Sequence, residues 1–300
     1  MIYTVTLNPA IDYVIHMDAV QIGQVNRARK EEIYFGGKGI NVSMVLKELG
    51  VLSRALGFVA GFTGEAIEKG LQARGIETDF VHLKNGFSRI NVKMKTGVET
   101  ELNGQGPEIS GEAMMQLLRK LDALQDGDTL ILAGSIPSSM PSNSYETILA
   151  YLSGKKIRII VDATNDLLLS TLKYHPFLIK PNHHELGELF GVQLADVEKI
   201  TFYAKRLQEM GAENVLVSMA EKGALLLDAG GTCHHSGVCE GSLKNAVGAG
   251  DSMLAGFLAG FLKRDYAYAL KLGTAAGGAT AFSDGLAQKA EILRLLEQLL

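Results

Sequence analysis

Short apolar runs that stop at a glycine, proline, asparagine or aspartate recur along this chain, and many are separated by stretches whose apolar residues return every three or four positions. The runs are Ile2–Leu7, Ala55–Val59, Thr129–Ala133, Arg158–Val161, Phe177–Ile179, Val215–Val217 and Ala224–Leu227, and their near-continuous apolarity is that of strands buried on both faces. Ser110 to Leu124 illustrates the intervening pattern: Met114, Leu117, Leu118 and Leu121 share one helical face and Ser110 stands where an N-cap belongs. Such alternation predicts a doubly wound α/β fold, a mainly parallel sheet with helices on both faces. The 300 residues, 47% of them hydrophobic, suffice for a large core. No internal repeat, linker or low-complexity tract divides them, so residues 1–300 are expected to form one domain.

One segment breaks the rhythm. From Ser88 to Leu102, Ile90, Val92 and Met94 alternate with Asn91, Lys93 and Lys95, and Thr96-Gly97 then turns into Val98, Thr100 and Leu102. This hairpin, with Val14–His16 and Glu31–Phe35, predicts a small second sheet, a lid built from about 12–35 and 87–102. A sheet too small to stand alone covers a site or pairs with another subunit.

The formal net charge of −4 and pI near 6.0 offer no global attraction for nucleic acid or an anionic membrane. An anionic ligand must therefore be met by local basic or backbone groups. The N-terminus enters an apolar alternation without a basic leader, and no stretch is apolar for long enough to span a bilayer, so a cytoplasmic location is expected. Cys233 and Cys239 flank His234 and His235, but their spacing matches no structural zinc pattern and they read as reduced thiols.

The strongest chemical signal is Asn245-Ala246-Val247-Gly248-Ala249-Gly250-Asp251-Ser252, followed by Met253, Leu254, Phe257, Leu258, Phe261 and Leu262 at helical spacing. A glycine-rich turn thus opens a helix, where freed amides and the positive dipole end can hold charge on a transferring phosphoryl group. Asp251 falls in the first turn, the place of a capping carboxylate as well as of a base. No Gly-Lys-Ser/Thr follows and no third glycine stands at the offset of a dinucleotide fingerprint. The small residues Ala255, Gly256, Ala259 and Gly260, and then Gly273, Ala276, Gly277, Ala279 and Thr280, suit either tight helix packing or a nucleotide base lying beside them. Towards the N-terminus, Asp12 follows Asn8-Pro9, and Gly36-Gly37-Lys38-Gly39-Ile40-Asn41 precedes a helix marked by Val42, Val45, Leu46 and Leu49. Asp12 and Asn41 can hydrogen-bond sugar hydroxyls, or serve as turn residues or caps.

Gly36-Gly37-Lys38-Gly39-Ile40-Asn41-Val42 and Val247-Gly248-Ala249-Gly250-Asp251-Ser252 resemble the two signatures of the ribokinase-like (PfkB-type) carbohydrate kinases, and the similarity runs over essentially the whole chain. Leu7-Asn8-Pro9-Ala10-Ile11-Asp12, Val25-Asn26-Arg27, Arg89-Ile90-Asn91-Val92-Lys93, Thr100-Glu101-Leu102-Asn103-Gly104 and Ile179-Lys180-Pro181-Asn182-His183-His184-Glu185-Leu186 resemble the members acting on fructose 1-phosphate, with those acting on tagatose 6-phosphate as neighbours. The resemblance implies a doubly wound domain with a β lid that closes over sugar and can form a homodimer contact. It implies transfer from ATP, with Mg2+, to the 6-hydroxyl of fructose 1-phosphate. Tagatose 6-phosphate or a broader set of sugar phosphates is the alternative, and a non-catalytic sugar-phosphate sensor the competing class.

Carried onto matching positions, the resemblance makes Asp251 the general base and the amides of Gly248, Ala249 and Gly250 the anion hole. Asp12, Gly37 and Asn41 would bind sugar, and Arg27, Lys38, Arg89 and Ser135 the phosphate already present, Arg27 being equally a surface residue of the lid. Lys180, Asn182, Ser218, Glu221, Gly223, Gly248, Gly250 and Ala279 would contact the nucleotide. Asn182 and Glu185 would organise magnesium through water, although by spacing alone they are also an N-cap and its N3 partner; His183 and His184 read as solvated loop residues. Two positions depart from the family pattern: Ala246 replaces a hydroxyl or proline, and Asn165 stands where glycine is frequent, a mild change because Asn tolerates left-handed backbone.

Overall fold

A computed structural model of the chain describes residues 1–97 and 100–300; Val98 of the expected hairpin lies outside them. In chain order the strands among the described residues are β1 (Ile2–Thr6), β2 (Ala10–His16), β3 (Lys30–Gly36), β4 (Ser53–Ala60), β5 (Glu77–Thr78), β6 (Val81–Leu83), β7 (Arg89–Lys95), β8 (Thr100–Asn103), β9 (Thr129–Ala133), β10 (Arg158–Asp162), β11 (Leu178–Ile179), β12 (Asn214–Ser218), β13 (Ala224–Leu227) and β14 (Cys233–Ser236). The main sheet runs β14-β13-β12-β11-β10-β9-β1-β4-β5, with β6 also paired to β4. It is parallel from β12 to β5, and only β13 and β14 at one edge are antiparallel.

Neighbouring residues of each buried strand go to opposite faces. Leu130 and Leu132 of β9 join a core with Leu117, Leu121, Tyr145 and Leu207, while Ile131 between them joins one with Val45, Leu254, Phe257 and Leu295. These side chains are fully buried, and each aliphatic one contributes about 1.5–3 kcal/mol. The expected helix is Gly111–Leu121, and Ser110 caps it by accepting from the Ala113 amide at 3.2 Å.

The chain leaves β1 towards β4 on one side, and β9, β10, β11 and β12 follow in order on the other. Strand order therefore reverses beside β1, and the carboxyl ends of the strands flanking such a reversal open a crevice. Residues 7–9 and 134–135 emerge there, and Asp162 ends the neighbouring strand β10.

A separate four-stranded sheet, in order β3-β2-β7-β8, forms the lid. Its cross-strand pairs place Asp12, Tyr34 and Asn91 on one face with Val14, Glu32, Lys93 and Glu101. Tyr13, Ile33, Val92 and Leu102 form a row on the other face. Burial follows the polar face: Asn91 and Lys93 are buried, whereas Ile33 and Leu102 are each 59% exposed. This reverses the usual apolar-inward pattern, because the inner face of the lid covers a polar cleft.

Candidate active site

The helix Ala249–Phe261 starts at Gly248, whose φ of 80° is left-handed and whose added Cβ would lie 2.7 Å from Leu286 Cδ2. The left-handed backbone is what calls for glycine there. No side chain among the described residues caps this helix. The Ala249 amide is tied to the Ala246 carbonyl at 3.2 Å and Ser252 N–H to Gly248 O at 2.9 Å. Among the described residues the amides of Gly248, Gly250 and Asp251 have no acceptor, so the free donors differ from the expected set in replacing Ala249 by Asp251. Residues 248–250 remain partly exposed. An unsatisfied helix N-terminus open to solvent suits an anion.

Asp251 is 6% exposed and does not cap its own helix. Its Oδ2 accepts from Asn41 Nδ2 at 2.8 Å, and no described residue donates to Oδ1. Burial, reinforced by the charge of Asp162, pushes the carboxyl up to about 6 against the opposing pull of Asn41, Lys180 and Lys38. A base near that value is mostly ionised at neutral pH yet more basic than an ordinary carboxylate, as general-base chemistry favours.

Asn41 belongs to the helix Lys38–Glu48, which begins earlier than the sequence pattern predicts, so Lys38 and Asn41 lie within its first turn and Asn41 is not the N-cap. Thr6 Oγ1 accepts from the Ile40 amide at 3.1 Å and anchors this start to β1. Gly37, at φ 126°, is the N-cap, and a Cβ on it would meet Thr6 Cγ2 at 2.5 Å.

Behind this pair lies a residue to which the sequence assigned no role. Asp162, at the end of β10, is 1% exposed and lies between two cations: Lys38 Nζ reaches Oδ1 at 3.1 Å and Lys180 Nζ approaches Oδ2 at 3.3 Å. Burial raises its pKa, but the two ammonium groups outweigh it and hold the carboxyl below its usual range. Desolvation would lower the pKa of Lys38, but Asp162 and Asp251 outweigh that effect and raise it. A Cβ on Gly250 would lie 3.0 Å from Lys180 Nζ, so the ammonium group stands against the helix start. The sequence signal was a lone acid closing an apolar strand.

Asp12 is a mid-strand residue of β2, neither turn nor cap. Its Oδ1 accepts from Asn91 Nδ2 at 2.8 Å, and Lys93 Nζ stands 3.9 Å from Oδ2. Asp12, Gly36, Asn41 and Lys93 line a cleft of about 680 Å³ between the lid and the main domain. Arg89 donates to the Asn8 carbonyl at 3.1 Å and borders a separate hollow of about 440 Å³ with Gly104 and Gly106. Burial lowers its pKa. Ser135 is exposed in the loop after β9, and Arg27, exposed between β2 and β3, makes no hydrogen bond or ion pair with a described residue.

Of the residues that the resemblance assigns to nucleotide and magnesium, Asn182 and Glu185 form a reciprocal capping box. Asn182 Oδ1 accepts from the His184 and Glu185 amides, each at 2.8 Å, and Glu185 Oε2 accepts from Asn182 N–H at 2.7 Å. Glu185 Oε1 accepts no hydrogen bond from a described residue, and no cluster of three or more His, Cys, Asp or Glu side chains is formed among them. One free carboxylate oxygen fits magnesium held through its waters, not in a protein cage. His183 and His184 open this helix instead of lying in a loop. Asn182 bridges to Ser218, which brings the loop of Glu221 and Gly223 alongside. Ala279 is fully buried, so its side chain is closed to a ligand. The small-residue stripes serve packing: a Cβ on Gly256 would meet Leu272 O at 2.6 Å, and one on Gly273 would meet Met253 O at 2.8 Å. Asn165 has φ 51°, the left-handed conformation that glycine would also take.

A family model described as pfkB family carbohydrate kinase matches residues 5–292. The chain is 49% identical over 299 residues to a 1-phosphofructokinase of Bacillus subtilis, covering 99% of this chain and 98% of that one. It is 38% identical over 301 residues to a D-tagatose-1-phosphate kinase of Bacillus licheniformis, covering 100% and 98%. The crystal structure of phosphofructokinase-2 from Escherichia coli in complex with substrates and products superposes with a TM-score of 0.93 over 99% of both chains at 24% identity, a likeness of fold.

Proposed function

As the chain belongs to the pfkB family of carbohydrate kinases, we propose that it transfers the γ-phosphoryl group of ATP to the 6-hydroxyl of fructose 1-phosphate, giving fructose 1,6-bisphosphate and ADP. The observation that carries this reading is Asp251, a buried carboxylate of raised pKa with one oxygen fixed by Asn41 and the other unengaged, at a helix start with free amides. Asp251 Oδ1 takes the proton of the attacking hydroxyl. The amides of Gly248 and Gly250 and the ammonium group of Lys180 hold charge that builds on the phosphoryl oxygens, which positions and stabilises without covalent chemistry. Asp12 and Asn41 orient the sugar, and Lys38, Arg89 and Ser135 meet the phosphate it already carries. Arg27 joins them when the lid segment folds over. Ser218, Glu221 and Gly223 border the nucleotide. Glu185, beside Asn182, would hold magnesium through water, and the ion would supply neutralising charge for the ATP phosphates.

The apolar outer row of the lid, Tyr13, Ile33, Val92 and Leu102, supports a homodimer formed through it. Within the enzyme class the second reading is a ketose 1-phosphate of the other configuration, since relatives named D-tagatose-1-phosphate kinase align over the whole chain. Those names carry a 1-phosphate, not the tagatose 6-phosphate that the sequence motifs suggested. Measuring kcat/KM by ADP release for fructose 1-phosphate, tagatose 1-phosphate, fructose 6-phosphate and tagatose 6-phosphate tests the assignment. Fructose 1-phosphate is expected to lead; a preference for either 6-phosphate would overturn it, and ligand-induced stabilisation without ADP would indicate a sensor.

A further inference from the structure

We infer that Asp162 is a positioning residue for phosphoryl transfer: its buried carboxylate holds the ammonium groups of Lys38 and Lys180 together beside the start of the Ala249–Phe261 helix. The inference rests on Asp251 being the base.

Three chain segments meet at this carboxylate. Lys38 comes from the helix that also carries Asn41, Lys180 follows β11, and Asp162 ends β10. The Lys38–Asp162 contact spans 124 residues of sequence. Two ammonium groups that converge on one carboxylate, Lys38 towards the phosphate the sugar already carries and Lys180 towards the group in transfer, repel each other, and an acid between them offsets that repulsion. Placing the acid there is costly, because burial disfavours charge unless it is paired. Buried ion pairs are weak contributors to stability compared with apolar packing of equal volume, so a triad at the strand-order reversal calls for a reason other than stability.

The geometry supplies one. Lys38 donates to Oδ1 with good alignment, but Lys180 contacts Oδ2 as an ion pair at 3.3 Å, and Oδ2 is buried with no aligned hydrogen bond. Asp162 therefore holds the Lys180 ammonium by charge, without Oδ2 serving as an aligned acceptor. The group against which it stands is Gly250, the residue before Asp251.

The groups acting on Asp251 are Asn41 and Lys38 from the Lys38–Glu48 helix, Asp162 from β10 and Lys180 from the segment after β11. Asp162 opposes ionisation of Asp251, and the two lysines favour it. Removing the acid and removing a lysine should thus move the base in opposite directions, an outcome that loosened packing does not produce.

The test is the pH profile of kcat/KM for ADP release with fructose 1-phosphate, measured from pH 5 to 8 on the wild type, Asp162→Asn, Lys180→Met and Asp251→Asn. Asp162→Asn is expected to lower kcat/KM on the order of a hundredfold through misplaced lysines. Its acidic limb should move down by about one pH unit, while that of Lys180→Met moves up. If both limbs stay at the wild-type position, the inference is overturned. Should Asp162→Asn not fold, Lys180→Met alone decides: a limb that stays or falls overturns it. An active Asp251→Asn would remove the base assignment and this inference with it; an inactive one with unmoved limbs would remove the inference alone.

Discussion

As the proposed base, Asp251 is under two opposed demands, since it must be charged to act and buried to be held in place. Its raised pKa, to about 6, predicts that kcat/KM falls with protonation below about pH 6; a profile flat to pH 5 would contradict this. The same shift has a sign for stability. Because burial favours the neutral form, the contribution of Asp251 is full below the unfolded carboxylate range and is lost as pH rises through about 6. Asp251→Asn should therefore leave the melting temperature near pH 4 almost unchanged and raise it by a few degrees at pH 8, as calorimetry at the two pH values would reveal. A lower melting temperature at pH 8 would mean that the charged form is stabilising. These properties are only partly visible in the sequence. The Gly-Ala-Gly-Asp turn marks the helix start, but the Asn41–Asp251 bond joins residues 210 apart, and no local spacing announces it. Asp162 is harder still, since what distinguishes it from any strand-ending aspartate is the two lysines that tertiary packing brings to it.

The helices Ala249–Phe261 and Tyr266–Ala281 show why local rules served better for elements than for residues. Their small-residue stripes admitted two readings, and the backbone approach at Gly256 and Gly273 decides for packing. Gly256→Val would push against Leu272 O and Ala276 Cβ, 2.6 and 2.8 Å from the added Cβ. We expect a loss of about 1–3 kcal/mol from overpacking, measured by urea unfolding; an unchanged midpoint would show that the helices can separate at no cost. The strands were legible because each is a short apolar run closed by a residue that breaks it, and β9, Thr129–Ala133, appears with the predicted bounds. The first turn of the Lys38–Glu48 helix was not, because its glycines resemble a loop and only the Thr6 hydroxyl and the β1 contact show them helical. The lid was legible as a hairpin, but alternation alone does not say which face is inward.

For the whole molecule, the lid joins the two halves of the account. Its polar face brings Asp12 and Lys93 to the cleft, and its apolar face, with Ile33 and Leu102 exposed, is the one proposed to meet a second copy. Leu102→Glu combined with Ile33→Glu should convert a dimer into a monomer by light scattering; a wild-type monomer at the same concentration would remove the proposal. No helix among the described residues is long and apolar enough to cross a membrane. The central claim, that Asp251 takes the proton of the hydroxyl attacking ATP, is tested most directly by steady-state ADP release from Asp251→Asn with fructose 1-phosphate, alongside calorimetric titration of ATP. The account predicts turnover lower by about a hundred to ten thousand fold with ATP affinity preserved. Turnover close to that of the wild type would contradict it.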